Sequence, residues 1–145
     1  MKVKDCMCED VCCVKPETKI TEVAKLMSEN HIGCIPVCDS NNCICGILTD
    51  RDILLRTVCS NKNAKTTPVS EIMTTDVCCC DLNEHLDTAE KLMSNNQVRR
   101  LPVIENDKIV GILSIGDISR NPNTNKENFI LTFDNICKCS NKNNW

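Results

Sequence analysis

The chain carries its own copy. Val69, Met73, Asp76, Val77, Cys78 and Cys79 each lie 66 positions after an identical residue. So do Lys91, Leu92, Met93, Ser94, Asn96, Pro102 and Val103. After a one-residue deletion at Glu105-Asn106-Asp107, the match resumes at an offset of 65 with Gly111, Ile112, Leu113, Asp117 and Ile118. These eighteen identities define a unit of about fifty residues, a size that struggles to bury its own faces, so two copies are expected to pack on each other.

Each copy reads as β-α-β-β-α. In the first, Val11-Cys12-Cys13-Val14 reads as a strand and Lys15-Pro16-Glu17-Thr18 as a turn. A helix follows with Thr21 as N-cap and Val23, Leu26 and Met27 at helical spacing. His31 and Gly33 end it. Cys34 to Cys38 and Cys43 to Leu48, divided by Asp39-Ser40-Asn41-Asn42, read as a hairpin, and Asp50 to Arg56 as a second helix with Ile53 and Leu54 inward. In the second copy Asp87 stands where Thr21 was, and Asn121-Pro122 shortens the last helix. This places repeat 1 at 1–57, a polar linker at 58–68, repeat 2 at 69–120 and a polar tail at 121–145. The Phe129 to Ile136 stretch in that tail is expected to dock as a short element or meet a partner, with a frayed end from Ser140.

Composition removes several classes of function. A net charge of −3 with scattered Lys and Arg offers no basic face for nucleic acid. No apolar run approaches the ~20 residues that cross a bilayer, and Met1 to Cys6 is unlike a signal peptide, so a cytoplasmic protein without a membrane partner is expected. In that compartment the fourteen cysteines are expected to be reduced. None has the C-x-x-C spacing of zinc or thioredoxin-like sites, and most stand where a small apolar strand residue would serve. Cys6/Cys8 and Cys137/Cys139 are the best placed for a metal or redox role. Neither a nucleophile–base constellation nor a phosphate loop is recognisable, so no catalysis is expected.

The stretch Gly46-Ile47-Leu48-Thr49-Asp50-Arg51-Asp52-Ile53 and its twin Gly111-Ile112-Leu113-Ser114-Ile115-Gly116-Asp117-Ile118 carry the functional signal. Each ends an apolar run on a hydroxyl, with a carboxylate three positions later. One copy alone reads as an N-capped helix. Two copies in register within a whole repeated unit favour a ligand site, the carboxylate meeting a ribose diol and the helix start an anion.

With Val3/Asp5/Met7 and Val69/Glu71/Met73, Asn30/Pro36/Val37 and Asn96/Pro102/Val103, these stretches form an ordered set that resembles a tandem pair of CBS domains, a Bateman module, over residues 3 to about 120. The resemblance implies an α+β fold of two β-α-β-β-α repeats packed through their sheets with pseudo-two-fold symmetry. It also implies a regulatory module without a fixed cofactor, binding AMP, ADP, ATP or S-adenosylmethionine in two clefts between the repeats. Ribose contacts fall to Asp52 and Asp117, and hydroxyl contacts to Thr49 and Ser114. Base contacts fall to Ile32, Gly33 and Cys34 in one cleft and to Val98, Arg99 and Arg100 in the other. Arg51, Arg99 and Arg100 are phosphate candidates, and Gly116 permits close backbone approach. Thr18, opposite Asp117, makes a fuller set than Glu84 opposite Asp52, because Glu84 adds a carboxylate near phosphate. A homodimer and an unknown protein effector in trans are implied as partners. The alternatives are a cysteine-dependent metal or redox sensor and a ligand-free dimerisation module.

Overall fold

The computed structural model describes residues 1–138. The chain divides into two compact units, one formed by Cys12–Val77 and the other by Met1–Val11 together with the chain from Cys78 onward. The mixed α+β architecture consists of two small sheets with helices against them.

In the Cys12–Val77 unit, β1 (Cys34–Cys38) and β2 (Ile44–Thr49) form the expected antiparallel hairpin, with Cys34 opposite Thr49 and an irregularity at Val37/Cys38. The turn places Asn42 at φ 63°, a left-handed position that Asn tolerates. Helix α1 (Ile20–Asn30) buries Ile20, Val23 and Met27 against Ile35, Val37 and Leu48. It ends on His31 in the left-handed conformation. The strand expected over Val11 to Val14 contracts to a single parallel bridge, Val14 to Val37, because the Lys15-Pro16 turn begins at the next residue.

Thr21 is not the N-cap. The cap position lies two residues earlier, at Lys19, and the first free donors of the helix reach the polar linker instead: Ile20 N–H to Thr67 C=O at 3.1 Å and Thr21 N–H to Ala64 C=O at 3.0 Å. The linker thus caps a helix. Helix α2 (Asp50–Ile53) runs into a π-helical segment, Leu54–Val58. The wider turn rotates Leu54 outward, where it is 55% exposed, and buries Thr57, so the expected inward Leu54 is corrected.

The second unit has a three-stranded sheet in the order β3 (Cys80–Asp81), β4 (Arg100–Glu105), β5 (Lys108–Ser114). β3 runs parallel to β4, and β4 antiparallel to β5. Helix α3 (Leu86–Asn96) packs Leu86, Ala89 and Met93 onto Leu101, Val103 and Leu113. Its N-cap is His85, whose Nδ1 accepts from Asp87 N–H at 3.3 Å, so Asp87 lies inside the first turn. Helix α4 (Ile115–Arg120) is short, as the following Asn-Pro requires.

The tail residues form helix α5 (Lys126–Cys137), capped by Asn125. It docks on α3 through buried Thr132 and Ile136, and Gln97 Nε2 donates to Asn135 C=O and Lys138 C=O at 2.9 Å each. The frayed end expected from Ser140 lies outside the described residues.

Each unit is completed by the leading segment of the other sequence repeat. Val3 belongs to the core that holds Leu101 and Leu113, and Val69 to the core that holds Ile35 and Leu48. Cys8 and Ile112 exchange two backbone hydrogen bonds of 2.9 Å, and Ile47 and Thr74 do the same at 2.9 and 3.0 Å. The Met of each opening motif therefore lies over the Gly of a closing motif: Met7 over Gly111 and Met73 over Gly46. A Cβ at Gly111 would lie 2.7 Å from Cys8 O, a backbone atom fixed by the bridge. One at Gly46 would fall on Met73, whose flexible thioether can move. Gly111→Ala is therefore expected to cost about 1–3 kcal/mol in urea unfolding and Gly46→Ala measurably less.

Glu90 on α3 is only 3% exposed, and its Oε1 has no hydrogen-bond partner among the described residues. It lies two turns before Gln97, on the same helix face. Burial, and secondarily the Asp87 charge, raise its pKa above the ordinary carboxylate value. With the folded pKa raised, the stability Glu90 contributes is full below its unfolded pKa and is lost as pH rises through the folded one. Glu90→Gln should therefore remove part of the loss in melting temperature between acid and neutral pH, leaving the variant the more stable at pH 7.

Candidate functional site

In each unit one backbone hydrogen bond gathers the predicted site residues. Asp50 N–H donates to Gly33 C=O at 3.0 Å, and Ile115 N–H donates to Arg99 C=O at 2.9 Å. Each bond ties the start of a hairpin strand to the first turn of the helix that carries the motif carboxylate. Ile32, Gly33 and Cys34 thus border Thr49, Arg51 and Asp52, while Val98, Arg99 and Arg100 border Ser114, Gly116 and Asp117. Arg51, Arg99 and Arg100 are exposed, and the other residues of both sets are half-buried. At Gly33 the Asp50 carboxylate covers the backbone, so a Cβ there would meet Oδ2 at 3.1 Å.

The hydroxyls and carboxylates cap their helices reciprocally. Thr49 Oγ1 accepts from Asp52 N–H at 3.1 Å, and Asp52 Oδ2 accepts from Thr49 N–H at 3.0 Å. In the twin, Ser114 Oγ accepts from Asp117 N–H at 3.1 Å. Asp117 Oδ2 accepts from Ser114 N–H at 2.9 Å and from its hydroxyl at 2.6 Å. The cap occupies only one oxygen of each carboxylate. The cap takes Oδ2, fixes the carboxylate rotamer and leaves Oδ1 directed elsewhere, with the Asp52 and Asp117 side chains still 18% and 17% exposed.

Oδ1 reveals two residues that sequence reasoning missed. Arg56 Nη2 lies 3.3 Å from Asp52 Oδ1, and Arg120 Nη2 lies 2.8 Å from Asp117 Oδ1. The signal was present as Asp-Arg pairs at i,i+4 and i,i+3, a spacing that places side chains on one helix face. The two arginines do not align between the repeats, since Arg56 corresponds to Asn121 and Arg120 to Leu55, so the repeat itself does not single them out.

Thr18 and Glu84, equivalent in sequence, perform one local task. Thr18 Oγ1 accepts from Lys15 N–H at 3.2 Å, and Glu84 Oε2 accepts from Asp81 N–H at 3.4 Å, each closing the turn before its helix. His31 is an exposed C-cap and His85 an exposed N-cap, both with structural work at helix ends.

The cysteines behave mainly as packing residues. Burial pushes the Cys38 and Cys80 thiols up to about 12 and Cys79 to about 11, and raises those of Cys6, Cys13 and Cys45. Such thiols stay protonated at neutral pH and are poor metal ligands or nucleophiles. Among the described residues, no three His, Cys, Asp or Glu side chains converge as a metal ion requires. Of the two candidate pairs, Cys139 lies outside the described residues. No helix among the described residues is long and apolar enough to cross a membrane.

The CBS domain family model covers residues 3–57 and 69–123. The CBS domain-containing protein YhcV of Bacillus subtilis is 40% identical over 86% of this chain and 87% of its own length. Among solved structures, Hypoxic Response Protein I with two coordinated zinc ions superposes with TM-score 0.78 at 31% identity, covering 83% of this chain and 98% of that one. The residues described here form no group that fits such an ion. The CBS domain pair of MJ0100, in complex with 5'-methylthioadenosine and S-adenosyl-L-methionine, gives TM-score 0.74 at 29% identity, with coverage of 83% and 94%. CBSX2 in complex with AMP gives 0.72 at 28%, with coverage of 82% and 93%. Over most of its length, this chain belongs to the CBS domain family, as two such domains in tandem.

Proposed function

We propose that the chain is a regulatory sensor that binds adenosine-containing ligands, AMP, ADP, ATP or S-adenosylmethionine, and signals to a separate protein as a homodimer. The observation that carries this reading is the duplicated carboxylate. In both units a half-buried Asp is held rigid on one edge by its own helix cap, beside a strand start tied to that helix. A rigid carboxylate with one presentable edge is preorganised to accept the two hydroxyls of a ribose. The complexes of MJ0100 with methylthioadenosine and S-adenosylmethionine and of CBSX2 with AMP support the ligand class.

In this reading Asp52 and Asp117 take ribose hydroxyls, Thr49 and Ser114 take polar contacts, and residues 32–34 and 98–100 take the base. Asp117 serves the tighter of the two sites. The ligand alters the output only through its differential affinity for two states of the protein. Burial of the Cys38 and Cys80 thiols, which raises their pKa values, argues against a sensing role for those two cysteines.

The test is calorimetry and thermal denaturation against AMP, ADP, ATP, S-adenosylmethionine and 5'-methylthioadenosine. At least one should raise the melting temperature in proportion to the logarithm of its concentration. Asp117→Ala should reduce affinity for that ligand at least about tenfold, the loss of a charged hydrogen-bond acceptor, and more than Asp52→Ala does. No binding across the panel would leave a ligand-free dimerisation module, and equal losses in the two variants would remove the assignment of the tighter site.

A further inference from the structure

We propose that Arg120 is a displaceable latch on Asp117 that selects phosphorylated adenosine ligands; this rests on the adenosine-binding reading and assigns its specificity at one of the two carboxylates. Asp117 Oδ2 is committed to the cap, receiving Ser114 N–H at 2.9 Å and Ser114 Oγ–H at 2.6 Å. The other edge, Oδ1, is held by Arg120 Nη2 at 2.8 Å. A ribose diol that reaches this carboxylate takes the Oδ1 edge, and placing both hydroxyls on the two lone pairs of that oxygen displaces the guanidinium; at Asp52 the wider 3.3 Å pairing with Arg56 leaves one lone pair of Oδ1 for a single hydroxyl.

The displacement is easy because of how Arg120 is held. Its side chain is 75% exposed, and among the described residues its hydrogen-bond partner is Asp117. An ion pair so open to water is weakly held. Beneath it lies Gly116, where a Cβ would sit 3.4 Å from Nη1, so no side chain at that position obstructs the swing of the guanidinium. Once released, the guanidinium presents a planar fork of donors suited to two phosphate oxygens. The ligand thus exchanges one partner of Arg120 for another, its ribose replacing Arg120 on Asp117 and its phosphate replacing Asp117 on Arg120.

Arg56 cannot act in this way. Its Nη1 donates to Ile72 C=O and to Thr74 Oγ1, each at 2.9 Å, while Nη2 stands 3.3 Å from Asp52 Oδ1. Leaving Asp52 would strip hydrogen bonds from the Val69–Thr74 segment, which completes the core of that unit. Arg56 is a strut and Arg120 a latch, so the duplicated motif yields one carboxylate that reads phosphate and one that does not.

The experiment compares AMP with adenosine, which share base and ribose, by calorimetry on the full chain. The binding event lost in Asp117→Ala identifies the site to be read. Arg120→Ala should weaken AMP there by about tenfold or more, while adenosine binding holds or tightens because its competitor for Oδ1 is gone. Arg120→Lys, which keeps the charge and loses the fork, should fall between. Arg56→Ala should leave the AMP-to-adenosine ratio at this site unchanged. Equal weakening of both ligands by Arg120→Ala, or an unchanged ratio, overturns the latch while leaving adenosine binding intact. If neither ligand binds the unmodified protein, the adenosine reading fails and the latch fails with it.

Discussion

Each unit is held together by a segment from the beginning of the other sequence repeat, and the rest of the structure depends on that exchange. Val3 and Val69 are fully buried in the cores they complete. Burying a valine side chain contributes about 1.5–3 kcal/mol, whereas a bridging hydrogen bond contributes about 1 kcal/mol net. Apolar burial therefore holds the segments, and the paired bonds of Cys8 with Ile112 and Ile47 with Thr74 set their register. Register matters because the crossing segment runs directly over Gly111 or Gly46. Those glycines begin the apolar run that ends on Ser114 or Thr49, so the same strand that receives the exchanged segment delivers the site.

The carboxylates illustrate how a structural role can be a precondition for a binding role. A capping box normally satisfies orphan donors at a helix start. Here it also fixes an acid that would otherwise sample several rotamers, so less ordering entropy is lost on binding. The helices concerned are too short to contribute much by themselves, α2 having four residues and α4 six. What they supply is a rigid mount. Their first residues are anchored to the strand starts through the Gly33 and Arg99 carbonyls, which keeps each motif carboxylate in constant relation to its strand start within the unit.

How much of this was legible depended on whether the partner of each residue was local. The hairpins, the short α4 and the Thr49/Asp52 and Ser114/Asp117 boxes all follow from residues within a few positions of one another. The start of α1 is not legible locally, because its donors are satisfied by Ala64 and Thr67, more than forty residues away, in place of a side-chain cap. The outward turn of Leu54 is not legible either, because nothing in Leu54-Leu55-Arg56 announces a π turn. Helix α5 escaped a definite assignment because Ile130, Leu131 and Phe133 remain exposed while Thr132 is buried, which inverts the usual amphipathic pattern. The exchange of segments was hidden for a different reason: a motif that opens one repeat and packs on the other leaves the order of the sequence unchanged.

Thr18 and Glu84 show where two copies of one fold can diverge. The turn before each helix needs an oxygen to accept an N–H three residues upstream, and a hydroxyl or a longer carboxylate serves equally. The fold is indifferent to that choice, but a ligand is not, since one group is neutral and the other carries a full negative charge. The same holds one helical turn beyond each Asp, where Arg56 is anchored by Ile72 and Thr74 while Arg120 faces water. By contrast, Gly46, Gly111, Pro36 and Pro102 are identical between the copies, and a side chain would have to displace the Cys8 backbone at Gly111 and the Met73 side chain at Gly46. Where a turn asks only for an oxygen acceptor the two copies differ, as at Thr18 and Glu84, and where a packed segment lies over the position they agree, as at Gly46 and Gly111.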